Sequence, residues 1–184
     1  MRRVLILVVL ATAVVAVAFA VAFPDRTPEL HFDSSVPDDL RAVAVEAWEG
    51  FLAAHPARAD CIESINMSAA WELDDRAEYR PGTATLVIRV PGTAPNLTSD
   101  LTHEFAHHVE FTCPQHEVLR PEFLIAQGFP ASADWFSGAT WETTPSEQYA
   151  EATSVVVLGQ RGNHDGIILS DEATAVVRRW ASES

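Results

Sequence analysis

Residues 103–107 read His103-Glu104-Phe105-Ala106-His107, and this pentapeptide constrains the chain more than any other stretch of it. Side chains four apart on an α-helix stand one turn above each other on the same face. Two imidazoles so placed can hold one metal ion from a single rigid element, and the glutamate beside the first can reach a water there. The stretch must therefore be helical, with its other face buried. The flanks agree. Thr98-Ser99-Asp100 offers N-cap candidates and Cys113-Pro114 a stop, while Leu101, Phe105, His108 and Val109 form an apolar flank away from His103, Glu104 and His107. A helix whose histidines are merely core residues is the plainer alternative.

Catalytic zinc usually takes three protein ligands and a water. Glu110, one turn past His107, lies too far along the axis to close a tetrahedron, and the extended pattern with a glycine and a third histidine is absent. Cys113 sits at the wrong helical phase. The candidates are downstream: Glu147 and Glu151, four apart on one face of a second predicted helix that runs from Thr144-Pro145 toward Gly159. Thr144-x-x-Glu147 with Pro145 also reads as a capping box. If Glu147 closes the helix end in that way, Glu151 becomes the candidate ligand.

On these two motifs, over roughly residues 98–158, the chain resembles the zincin metallopeptidases of the glutamate-ligand (gluzincin) type. The Glu-x-x-Ala-Glu form at 147–151, about forty residues after His107, is most similar to the lethal-factor-like branch. The resemblance implies one Zn²⁺ on His103, His107 and Glu147, with Glu104 as general base and Glu151 steadying a ligating histidine. It implies an α+β, zincin-like single domain. A packing helix, a small mixed β-sheet and the His-Glu-x-x-His helix would precede a mainly helical C-terminal half, and a peptide substrate would lie extended along the sheet edge. Lethal-factor-like enzymes carry a tyrosine seven residues before the ligand glutamate. Thr140 stands there, beside Trp141, so the oxyanion partner is sought at Tyr149 or His164.

The start of the 184-residue chain points outward from the cytoplasm. Met1-Arg2-Arg3 precedes twenty uncharged residues, Val4 to Phe23. At about 1.5 Å per residue that run spans about 30 Å, enough for a bilayer core. Small-x-small patterns at 18–22 allow a cleaved signal peptide, though the length favours an uncleaved anchor. Arginines before the span place the N-terminus inside and the body outside. The expected location is thus a single-pass membrane protein with an extracytoplasmic domain, or a secreted one. Cys61 and Cys113, the sole cysteines, fit a disulfide in an oxidising compartment. Beyond the leading arginines the body holds ten arginines, no lysine and twenty-six acids, a charge of about −16. Such a body argues against nucleic acid as a partner.

Proline-rich residues 24–37 read as a linker to a domain over 38–184. Leu40, Val43, Ala44, Ala47, Trp48, Phe51 and Leu52 predict a packing helix over 38–54. Residues 63–71 and 83–90 have strand composition, 114–143 looks irregular, and Ser170-Asp171 caps a last helix through about Trp180. The reaction expected is peptide-bond hydrolysis. Its rivals are a zincin-like binding module that cleaves nothing and a structural domain with a fortuitous motif.

Overall fold

The apolar period of residues 38–54 folds as α1 (Asp38–Ala54), whose buried face carries Leu40, Ala44, Ala47, Trp48 and Phe51. This computed structural model describes residues 27–164 and 166–183. The anchor or signal expected over 1–23 lies outside that range. Among the described residues no helix is long and apolar enough to cross a membrane.

α1 packs on a four-stranded mixed sheet of β1 (Leu30–Phe32), β2 (Ile65–Ala70), β3 (Ala77–Arg80) and β4 (Thr85–Arg89), in the order β1-β2-β4-β3. β1, β2 and β4 are parallel, and β3 runs antiparallel on β4 at the far edge. The segment read as a linker therefore supplies an edge strand. Leu30 to Phe32 pair with Ile65 to Met67, which three residues cannot announce by pattern.

The pentapeptide sits in α2 (Ala94–Thr112). This helix begins earlier than its cap candidates suggest, because Pro95 occupies the first turn, where its missing N–H costs nothing. Ser99 and Asp100 lie inside the helix and hold a later loop instead. Leu97, Leu101, Phe105 and Val109 pack into the core shared with α1 and the sheet, and Phe105 meets Trp48 edge-on at 4.8 Å. Ala106 faces a second core with Phe123, Trp135, Tyr149 and Val177.

That second core comes from α3 (His116–Ala126), α4 (Pro145–Leu158) and α5 (Asp171–Ser182). α3 corrects the irregular reading of 114–143. It carries Pro121 inside it, yet buries His116, Leu119, Phe123 and Leu124. α4 ends at Gly159 in the left-handed conformation (φ 71°), and the Ser170 hydroxyl caps α5 by accepting from the Ala173 N–H at 3.0 Å. Cys61 and Cys113 form a disulfide that ties the C-terminus of α2 to the approach to β2. The result is a single small α+β domain with five α-helices among the described residues.

Candidate metal centre

α2 and α4 cross so that three lone-pair atoms converge. His103 Nε2 lies 3.0 Å from Glu147 Oε2, His107 Nε2 lies 3.3 Å from the same oxygen, and the two imidazole nitrogens are 3.3 Å apart. A tetrahedral zinc with bonds of about 2.0–2.2 Å separates its ligand atoms by about 3.3–3.6 Å. The set thus has the size of one face of such a tetrahedron, and its donors, two imidazoles and one carboxylate, suit zinc. The capping-box alternative for Glu147 is not realised. Thr144 makes no side-chain cap, since its hydroxyl donates to the Thr140 carbonyl, and Glu147 turns to the histidines.

Glu151, one turn further along α4, is fully buried behind His103. Its Oε1 accepts the Gly162 N–H at 2.9 Å, and its Oε2 lies 3.3 Å from His164 Nδ1. Glycine at 162 is required by this approach: a Cβ there would stand 2.7 Å from Ser99 Oγ and 3.0 Å from Glu151 Oε2. Asn163 completes the tie by donating its N–H to Ser99 Oγ. The loop after α4 thereby delivers His164 over His103, with ring centroids 4.3 Å apart, and beside Trp141. His103, Glu151 and His164 form a second group with mutually close donor atoms, and His103 Nδ1 is buried with no hydrogen-bond partner among the described residues.

Three members of the site carried no assignment in the sequence. Glu110 is buried, and its Oε2 accepts from His107 Nδ1 at 3.1 Å. Ser146 Oγ donates to both Glu110 oxygens at 2.8 and 2.9 Å, and Trp135 Nε1 donates to Oε1 at 2.9 Å. The signal for Glu110 was its position three residues past His107. Nothing local announced Ser146 or Trp135.

The electrostatics favour a cation. Glu104, Glu110, Glu147 and Glu151 surround the imidazoles, yet among the described residues the one arginine within 4.0 Å of any of these carboxylates is Arg161, 3.8 Å from Glu151. Burial pushes the Glu104 carboxyl up to about 7, although the Tyr79 backbone N–H faces it. Burial pulls His103 down to about 4. For His107 burial acts downward, but the hydrogen bonds to Glu110 and Glu147 lift it well above the usual histidine range. Glu147 is the converse: burial pushes it up, while hydrogen bonds from both histidines hold it well below the usual carboxylate range.

No known protein family, curated protein or solved structure matches this chain.

His103, Glu104, His107, Glu147 and His164 line a cleft of about 480 Å³ between α2 and β3. Arg89 N–H donates to the Arg76 carbonyl, which fixes the antiparallel alternation along β3. Glu78 and Arg80 exchange bonds with β4, so the backbone groups of Ala77 and Tyr79 face outward toward the cleft. Phe111 and Phe136 stack at one end, 5.3 Å apart, and Trp141 lies against His103 at the other. Of the two oxyanion candidates His164 lines the cleft. Tyr149 does not: two residues past Glu147 it points about 200° round the helix. It is fully buried against His116, Phe123 and Trp135.

Proposed function

We propose that this chain is a zinc-dependent peptidase of the zincin, glutamate-ligand type. The observation that carries the reading is the convergence of His103 Nε2, His107 Nε2 and Glu147 Oε2, with Glu104 beside them, in a cleft bounded by an edge strand. His103, His107 and Glu147 would hold the ion, and Glu151 stays behind His103. Zinc, when bound, polarises a carbonyl and brings the pKa of a water toward 7.

The protein's own groups supply the rest. Glu104, which lines the cleft beside the three-atom set, takes the proton of the attacking water and passes it to the leaving amine. His164 is tied through Nδ1 to Glu151 and presents its other ring nitrogen to the cleft, where its imidazolium form would donate to the developing oxyanion. The outward N–H and C=O of Ala77 and the C=O of Tyr79, whose N–H is turned to Glu104, suit an extended peptide added to β3. Phe111, Phe136 and Trp141, each about half exposed, suit large apolar side chains of that peptide. The Cys61–Cys113 bridge supports action outside the cytoplasm, by an anchored or secreted protein.

Incubating the purified chain with a diverse peptide library, with and without a chelator, tests this reading. Cleavage that the chelator stops and zinc restores is the expected result. Stoichiometric zinc without turnover would leave a binding module, and no zinc would leave a structural domain.

A further inference from the structure

We propose that Glu110 is a positioning residue that sets the cation site in shape before an ion binds, by holding His107 and the start of the Glu147 helix on one carboxylate. The proposal rests on reading His103, His107 and Glu147 as a cation site; it does not depend on peptide hydrolysis.

A carboxylate only accepts hydrogen bonds, so the contact from His107 Nδ1 to Glu110 Oε2 at 3.1 Å keeps the imidazole proton on Nδ1. Nε2 then faces His103 and Glu147, and its lone pair is available to a cation that displaces a proton from it, as a metal ligand requires. The same carboxylate accepts from Ser146 Oγ, and Ser146 is the residue before Glu147 in the first turn of α4. One group therefore fixes the ring of one donor and the helical register of another, though they are forty residues apart.

Trp135 closes the arrangement. Its indole N–H donates to Glu110 Oε1, and its carbonyl accepts the Ser146 backbone N–H at 3.0 Å. Glu110, Trp135 and Ser146 thus form a closed hydrogen-bonded ring behind His107. The next residue, Phe136, is the one that stacks on Phe111 in the cleft, so the ring reaches the aromatic wall as well.

A merely structural residue would not need this charge. Glu110 has its side chain at 0% exposure, and among the described residues it has no arginine on its carboxylate. Arg120 instead donates to the Glu110 backbone carbonyl and lies over the Trp135 ring. The partners of the Glu110 carboxylate are His107 Nδ1, Ser146 Oγ and Trp135 Nε1, and a glutamine of the same size would have one accepting oxygen in place of two. The charge has a use where it lies, one imidazole away from the point at which a divalent cation would sit.

The test is a zinc titration of the full chain against a chromophoric chelator, with the cobalt(II) absorption spectrum as a second readout. Glu110→Gln is expected to weaken zinc by about 10–100-fold and to alter the cobalt spectrum. Ser146→Ala keeps the His107–Glu110 contact but frees α4, and is expected to give a smaller loss with the same spectral change. Zinc affinity and cobalt spectrum unchanged in Glu110→Gln, with only the melting temperature of the metal-free protein lowered, would overturn the proposal and leave the cation site standing. Should Glu110→Gln not fold, unchanged affinity in both Ser146→Ala and Trp135→Phe would overturn it equally. A wild-type chain that takes up no zinc would overturn the cation site and this proposal together.

Discussion

Glu147 Oε2 lies 3.0 Å from His103 Nε2, across the crossing of α2 and α4, and Glu151 stands one turn behind it. The two glutamates consequently have different relations to the histidines, and the difference is measurable. Glu147→Ala, His103→Ala and His107→Ala should each lose stoichiometric zinc. Glu151→Ala should retain zinc with affinity lowered by about 10–100-fold. Metal analysis of the purified variants decides; stoichiometric zinc in Glu147→Ala with none in Glu151→Ala would exchange their roles.

Glu104 faces the cleft without touching the three-atom set. Glu104→Gln should keep zinc at the wild-type level while peptide hydrolysis falls by about 10²–10⁴-fold, the usual worth of a positioned base. A variant that keeps both zinc and full turnover would remove this role.

Two buried histidines outside the site carry a prediction about acid. Burial pulls His55 down to about 4 and holds His116 well below the ordinary range. Because the folded state prefers both neutral, their contribution is fully present above pH about 6.5 and is lost as pH falls toward 4. His55 alone accounts for about 3 kcal/mol over that window. Urea midpoints at several pH values should fall steeply below pH about 6.5 in the wild type, and less steeply in His55→Leu. Equal slopes in the two proteins would refute the assignment.

The disulfide closes a 52-residue separation. On the loop-entropy account its loss lowers stability by about 4 kcal/mol. Denaturant unfolding of Cys61→Ser/Cys113→Ser beside the wild type measures this, and zinc affinity should weaken too, since the bridge clamps the last turn of α2.

The elements that were legible in the sequence are those with local signals. α1 and α5 follow from apolar period and capping, and α4 from Thr144-Pro145 at one end and Gly159 at the other. β1 was not legible, because three residues acquire their structure only from pairing with β2. α3 was hidden by Pro121, although His116, Leu119 and Phe123 keep a helical period. At the site, His103, Glu104 and His107 announce themselves by spacing within one helix. Tyr149 could have been set aside on the same ground, since it cannot share the face of Glu147. Glu110 is different: its meaning depends on Ser146 and Trp135, which only the packed chain brings to it.

The strand order β1-β2-β4-β3 places the chain's entry into the domain and its cleft at opposite rims of the sheet. Three strand spacings, about 14 Å, separate Leu30 from β3. Leu30, where the described chain enters the sheet, therefore leaves the β3 rim clear. On the proposed function, a long, unfolded stretch of another protein could run along β3 without meeting Leu30.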